Sequence, residues 1–259
     1  MTDERFDLNN RTIIVTGGGS GIGKTYSTVL ASAGANVVIA DIAGNEGQAV
    51  ADDISSNVRR AVAITTDISS EDDTAAMAEM AMSTFGRIDG LINNASLMST
   101  LERKPWHEID ITEWDRVMEV NLKGMFLCCR AVYRHMKEQG KGKIVNISSG
   151  RVWKGTAERL HYTASKAGVI GFTRTLAREV GDDNICVNAI SPGFTESETQ
   201  MATSTPEYLE SRKVAYQKRS LKRAQLPDDL VGAVMFLCSD ASDFITGQTI
   251  NIDGGDAMH

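Results

Sequence analysis

Short apolar, β-branched runs alternate with longer amphipathic stretches along most of the chain. Seven such runs predict strands, because they are too short for helices and are bounded by turn residues: Thr12–Thr16, Asn36–Ala40, Ala61–Thr65, Ile88–Asn93, Lys143–Ile147, Ile185–Ile190 and Gln248–Ile252. Between them the pattern predicts helices. One runs from about Ile22 to Ala33 and is stopped by Gly34. A second covers Gly47 to Ser55, and a third is capped by Ser70 and carries Met77, Met80 and Ala81 on one face as far as Phe85. A long helix capped by Thr112 reaches about Glu138, with Glu113 and Asp115 in its positive first turn. Another spans Tyr162 to Val180, and the last has Pro227 in its first turn and ends near Cys238. Strand–helix alternation with short connections implies a parallel sheet covered on both faces. Right-handed crossovers then make the fold class α/β: a Rossmann-type doubly wound parallel sheet of about seven strands.

The connection after the first strand, Thr16-Gly-Gly-Gly-Ser-Gly-Ile-Gly23, is the first chemical signal. Gly17 allows a tight turn, Gly21 admits a ligand close to the backbone, and Gly23 lets the helix pack on the sheet. Free N–H groups around Ser20, Gly21 and Ile22 at the helix start make an anion site suited to a pyrophosphate. The spacing is Gly-x-x-x-Gly-x-Gly, set between a strand and a helix as a dinucleotide fingerprint requires. Asp41 follows the second strand, 18 residues after Gly23. A carboxylate there can accept from both ribose hydroxyls and would repel a 2′-phosphate. Ser20, Ile42 and Ala43 supply no cation for that phosphate. At the end of the third strand Asp67 can accept from an adenine amino group, with Ile68 packed on the ring. An N-cap-like role for Asp67 is the alternative.

Tyr162-Thr163-Ala164-Ser165-Lys166 opens the fifth helical stretch. Residues four apart share a helix face, so the phenol and the ammonium lie one above the other. A free phenol, with a pKa near ~10, is a poor base at neutral pH, and an adjacent cation favours the phenolate. The pair is then a general acid/base.

Composition narrows the class. The 27 Lys and Arg against 34 Asp and Glu give 27 − 34 = −7, which argues against general nucleic-acid or anionic-membrane binding. No apolar run approaches the ~20 residues of a membrane span, and the opening Met1-Thr-Asp-Glu-Arg-Phe-Asp stretch has no apolar leader core. The cysteines, Cys128, Cys129, Cys186 and Cys238, lack Cys-x-x-Cys spacing, so neither a metal site nor a disulfide framework is expected. A reduced cytoplasmic protein of one domain, 1–259, is expected.

In this order and spacing the motifs resemble the classical short-chain dehydrogenase/reductase family over nearly the whole chain. The glycine turn, Asn93-Asn-Ala95, Asn121, Ser149, Tyr162-x-x-x-Lys166 and Asn188-Ala-Ile-Ser-Pro-Gly193 carry the resemblance, with Ser149 preceding Tyr162 by 13 residues. Two places depart from the family pattern. Ser96 stands where the family often has Gly, and Thr195 and Ser197 stand where it often has an aliphatic residue and then a threonine. The resemblance implies four catalytic residues, Asn121, Ser149, Tyr162 and Lys166. Tyr162 exchanges a proton with the substrate oxygen, Ser149 steadies that oxygen, Lys166 holds the nicotinamide ribose and lowers the Tyr162 pKa, and Asn121 binds a water linking Lys166 to solvent. A buried Asn121 capping local backbone is the alternative. The cofactor-binding set it implies is Gly17, Ser20, Gly21, Ile22, Gly23, Asp41, Asp67, Ile68, Asn94, Tyr162, Lys166, Pro192, Gly193, Thr195 and Ser197.

With Asp41, the expected activity is NAD-dependent interconversion of a secondary alcohol and its ketone. An NADPH-dependent ketone or 3-oxoacyl reductase is the alternative within enzymes, and a nucleotide-binding scaffold without turnover is the alternative outside them. By resemblance, Ser96–Thr100, Gly150–His161 and Phe194–Leu221 line the substrate side, the last as a lid over about 194–221. Ser149, Tyr162 and Trp153 are the expected substrate contacts. Met98, Met201 and Tyr208 are candidate apolar ones, for a cyclic or aromatic alcohol. The resemblance also implies a homotetramer, through Val132 and Met136 of one helix, Phe172, Leu176 and Val180 of another, and a second contact at Ile250 and Ile252.

Overall fold

The computed structural model describes residues 4–56 and 60–258; Met1, Thr2 and Asp3 of the polar opening stretch lie outside them. Seven strands form, β1 (Thr12–Thr16), β2 (Asn36–Asp41), β3 (Ala61–Thr65), β4 (Gly90–Asn93), β5 (Gly142–Ile147), β6 (Ile185–Pro192) and β7 (Thr249–Ile252). They pair side by side in the order β3-β2-β1-β4-β5-β6-β7, and every pairing is parallel. The order reverses between β1 and β4, so the carboxyl ends of these strands open a crevice where doubly wound folds bind ligands.

Alternate side chains of β1 face opposite layers, as the strand period requires. Ile13 and Val15 join a core with Tyr26, Leu30, Val50, Ile54, Leu230 and Val234. That layer is built by α1 (Gly21–Ser32), α2 (Gly44–Ser56) and α10 (Asp228–Cys238). Ile14 faces a second core with Met77, Val132, Met136 and Val169. It is built by α3 (Glu71–Phe85), α5 (Met125–Gln139) and α7 (Leu160–Glu179), while α4 (Ile111–Met118) packs beside α7. Three short helices, α6 (Arg151–Lys154), α8 (Glu198–Ala202) and α9 (Pro206–Tyr216), lie in the segments after β5 and β6. No helix is long and apolar enough to cross a membrane among the described residues.

The structure corrects four expectations. The cap of the fourth helical stretch is Asp110, whose carboxylate accepts from the Thr112 backbone N–H at 2.7 Å; Thr112 itself sits in the first turn. That stretch is not one α-helix, because Glu119–Gly124 forms a π segment between α4 and α5. Asn121 lies in it, and π turns collect where a side chain must be re-aimed. β4 starts at Gly90, two residues later than its apolar run, because Asp89 instead takes the Thr12 N–H and the Arg87 guanidinium on its carboxylate. Finally, Val132, Met136 and Val180 are buried in the chain's own core, and Phe172 and Leu176 pack against it. The apolar faces assigned to a partner subunit are thus largely intramolecular.

Candidate active site

The glycine turn delivers the chain from β1 into α1 at the mouth of the crevice. Ser20 occupies the N-cap of α1 in extended conformation but makes no side-chain cap bond, so the first N–H groups of the helix remain available to a ligand anion. The turn is tight: Gly17 has φ 62°, and a Cβ on it would sit 2.9 Å from the Ala95 Cα. A Cβ on Gly23 would run into the Gly17 carbonyl oxygen and the Asn94 amide. Asp41 closes the far side. Its Oδ2 accepts from the Gly19 N–H at 2.8 Å and its Oδ1 from the Ala43 N–H at 3.0 Å, which fixes the buried carboxylate at the end of β2.

Two residues expected to touch a cofactor are engaged by the protein. The Asn94 amide donates to the carbonyls of Thr16 and Gly17 at 3.1 and 3.0 Å, which ties the end of β4 to the glycine turn. Asn94 is therefore a brace whose donors are taken, with its backbone held by Thr16 Oγ1 as well. Asp67 borders the cavity and also bonds locally, but the N-cap of the helix that follows is Ser70. The Asp67 Oδ1 accepts from the Ser69 N–H and hydroxyl, and its Oδ2 pairs with Arg116 at 3.3 Å. Partial burial works against ionisation, but Ser69 and Arg116 hold the Asp67 carboxyl below its usual range. Ile68 is buried beneath the cavity beside Gly124.

The chemistry-bearing side chains stand at the ends of β5 and the start of α7. A buried polar ladder places α7 on the sheet: Asn93 donates to Asn146 Oδ1 at 2.9 Å, and Asn146 donates to Thr173 Oγ1 at 3.0 Å. Ser148 adds a bond from its hydroxyl to the Lys166 carbonyl at 2.8 Å. On this frame Ser149, Tyr162 and Lys166 line one cavity of about 750 Å³ together with Gly17, Gly21 and Asp41. Asn121 does not line it. Its Oδ1 accepts from the Leu97 N–H at 2.8 Å, and its amide donates to Leu97 O at 3.3 Å and Ser165 Oγ at 3.0 Å. It clamps the loop after β4 onto α7, and Ser165 in turn bonds the Tyr162 carbonyl at 2.8 Å.

Burial raises the pKa of Tyr162, while the hydrogen bond from Ser149 and the charges of Arg151 and Arg159 pull it down. The Lys166 Nζ donates to the Ile147 carbonyl at 2.8 Å and lies 5.8 Å from the Tyr162 ring centre. Burial lowers Lys166 to about 8.

A family model described as "Enoyl-(Acyl carrier protein) reductase" matches residues 17–256. An oxidoreductase of Mycobacterium tuberculosis, itself uncharacterized, is 40% identical over 248 residues, covering 96% of this chain and 98% of the relative. The cis-4-hydroxycyclohexanecarboxylate dehydrogenase of Sinomonas cyclohexanicum is 38% identical over 249 residues, 95% of this chain and 96% of that one. Among solved structures, the 3-ketoacyl-(acyl-carrier-protein) reductase of Brucella melitensis complexed with NADH superimposes with a TM-score of 0.88 at 31% identity, covering 97% of this chain and all of that one. The chain belongs to the short-chain dehydrogenase/reductase family. It is an oxidoreductase of the kind that binds a nicotinamide cofactor.

This dehydrogenase/reductase has a cleft that fits such a group: α1 with its uncapped N–H groups, a turn in which a side chain would fill the cradle, and a carboxylate fixed at the end of β2. Pro192, Gly193, Thr195 and Ser197 border the same cavity. Thr195 donates to the Gly193 carbonyl at 3.2 Å, and Ser197 caps α8 through the Gln200 N–H at 3.3 Å. Thr199, which the sequence pattern did not single out, closes over Gly21: a Cβ there would lie 2.9 Å from its hydroxyl. Only the return of α8 onto the glycine turn reveals it.

Residues 194–221 carry the two short helices α8 and α9, with Phe194 and Tyr208 in edge contact at 5.5 Å and Tyr216 donating to Glu196 at 2.7 Å. Met98 and Tyr208 line the cavity; Met201 is exposed and does not. Trp153 also lies outside it, because its indole N–H is anchored on Ser191 Oγ at 2.9 Å, against β6.

Lys166 gives this short-chain dehydrogenase/reductase a pH signature. Its pKa is depressed by folding, so between about 8 and 10.5 the unfolded chain binds the proton that the native state has lost. Stability from this group therefore rises with pH across that window. At ~1.4 kcal/mol per pK unit the change is a few kcal/mol. Denaturant titrations of the ligand-free protein and of Lys166→Met should show the wild type gaining on the variant between pH 8 and 10.5. A pH-independent difference would rule the shift out.

Proposed function

We propose that this protein is an NAD-dependent alcohol dehydrogenase that interconverts a secondary alcohol and its ketone. The observation that carries the reading is that Ser149, Tyr162 and Lys166 line the same cavity as the Asp41 carboxylate. In the oxidising direction the substrate hydroxyl sits against Ser149 and Tyr162. Tyr162 takes the hydroxyl proton, and Ser149 steadies the charge that develops on the oxygen as the C=O forms. Bound NAD would supply the acceptor for the hydride leaving the carbinol carbon. Lys166, one helical turn after Tyr162, is placed to hold the nicotinamide ribose. Asn121 keeps the loop carrying Ser96, Leu97 and Met98 in place.

NAD is favoured over NADP by charge. Asp41 and Glu46 border the adenosine end, and the residues after Asp41 are Ile42 and Ala43. Arg116 also borders it, but its guanidinium is engaged by Asp67 and by Glu119 at 2.7 Å. The test is a panel of secondary alcohols with each cofactor, followed by the absorbance of the reduced nicotinamide. No oxidation of any of them would overturn the reading.

A homotetramer remains our proposal, on different residues from those first expected. Phe126 on α5 is 45% exposed, and Phe244, shortly before β7, is fully exposed. Apolar positions on two elements can seat two distinct two-fold contacts, which generate a tetramer. Light scattering should return about four times the 28.0 kDa chain mass; a stable monomer would contradict it. Free, buried cysteines, Cys128, Cys129, Cys186 and Cys238, favour a reducing cytoplasmic compartment.

A further inference from the structure

We propose that the alcohol carries a carboxylate, and that Arg159 is the residue that binds it. The inference rests on the dehydrogenase reading and names its substrate class. Arg159 lines the cavity beside Tyr162, Met98 and Tyr208. Its Nε is buried with no hydrogen-bond partner, and its Nη1 meets only the Met98 sulfur, at 3.6 Å. No acidic side chain forms an ion pair with it among the described residues. A guanidinium partly withdrawn from water and left unpaired is costly, and an incoming anion removes that cost.

The backbone is arranged to put Arg159 there. Glu158 and Arg159 are consecutive non-glycine residues in the left-handed region, with φ of 62° and 54°. Such strain persists only where the surroundings impose it, and it gathers at functional sites. Here Arg151 imposes it. Its Nη2 donates to the carbonyls of Thr156, Ala157 and Glu158 at 3.1, 2.8 and 2.5 Å, and its Nε donates to Thr163 Oγ1 at 3.4 Å. Arg151 is therefore a positioning residue whose Nε and Nη2 are engaged by protein oxygens, whereas the Arg159 guanidinium donates to none.

A third guanidinium, Arg103, stacks 3.7 Å from the centre of the Tyr208 ring and lies 3.9 Å from Glu158. The three cations repel one another: after burial, the charges of Arg159 and Arg103 are what lower Arg151, and the charge of Arg103 lowers Arg159. A chain of net charge −7 thus gathers positive charge around one end of its cavity. Arg159 acts by charge on the Tyr162 phenol and touches Met98 in the same cavity, so the anion it would meet belongs to the substrate.

One free planar fork matches one carboxylate, bidentately. A phosphate dianion would need further free cations, and the neighbouring ones are engaged: Lys154 by Asp256 at 2.7 Å, Arg103 by Glu158 at 3.9 Å, and Arg151 by backbone carbonyls.

The experiment compares cis-4-hydroxycyclohexanecarboxylate with its methyl ester as substrates, in the wild type, Arg159→Met and Arg159→Lys. In parallel, cyclohexanecarboxylate, cyclohexanecarboxamide and inorganic phosphate are titrated into the enzyme–NAD complex. We expect the wild type to favour the acid over the ester by about 10²-fold in kcat/KM, as for loss of one buried charge pair. In Arg159→Met the ratio should fall to about one, with Arg159→Lys between. Cyclohexanecarboxylate should bind at least ~10-fold more tightly than the amide, and only with Arg159 present. If the ester or a neutral alcohol is oxidised as well as the acid, the carboxylate assignment falls while the dehydrogenase reading stands. If neither probe is oxidised, the titration decides: equal binding of acid and amide overturns the assignment. So does a preference that survives Arg159→Met, and so does phosphate binding as tightly as the carboxylate.

Discussion

Tyr162→Phe is expected to lower kcat by at least ~10²-fold, the usual scale for loss of a general acid/base, while leaving NAD affinity close to that of the wild type. The phenol oxygen is the group whose pKa is set by burial, by Ser149 and by two arginine charges. Phenylalanine keeps the ring and its packing against Leu101 and Val117 but removes the exchangeable proton. The effect thus belongs to chemistry rather than folding. Because burial raises the phenol, alcohol oxidation in the wild type should climb with pH in the alkaline range as the phenolate fills, and that slope should vanish in Tyr162→Phe. Ser149→Ala should lose turnover on a similar scale. Initial rates and a fluorescence titration with NADH check both points. Near-normal turnover without the phenol would remove Tyr162 from the mechanism.

The second large effect concerns cofactor choice. NADP places a phosphate at the ribose position that Asp41 is fixed to meet, and two anions in a partly desolvated site repel strongly. Losing ribose hydrogen bonds and adding repulsion amounts to a few kcal/mol, so NAD should be preferred by ~10²-fold or more in kcat/KM, at ~1.4 kcal/mol per tenfold. Asp41→Ala combined with Ile42→Arg should weaken NAD and admit NADP. Removing Asp41 also frees the Gly19 and Ala43 N–H groups, so a modest loss of thermal stability should accompany the switch. If the unmodified enzyme uses NADP as well as NAD, the role given to Asp41 is wrong, and the reductase alternative takes its place.

The sequence by itself determined the layered fold and the family. Its strand runs are short, apolar and separated by helical periods, and buried parallel strands admit little else. The glycine turn and the Tyr162–Lys166 spacing are local patterns whose geometry follows from turn and helix dimensions, so both were legible before any contact was known. Tertiary structure decided what depends on partners far apart in the chain. Only the fold shows that Asn94, Asp67 and Trp153 bond to Gly17, Arg116 and Ser191, none of which is a sequence neighbour. The π segment that aims Asn121 at Leu97 and Ser165 is held by bonds to the loop after β4 and to α7, partners that no local pattern names. Val132 and Met136 form an apolar stripe that a partner subunit or the chain's own sheet could cover, and only packing assigns it to the sheet. The arginine cluster is the clearest case. Arg103 comes from the loop after β4 and Arg151 and Arg159 from the segment after β5, and an unpaired cation is defined by the absence of a carboxylate in space, which no spacing along a chain encodes.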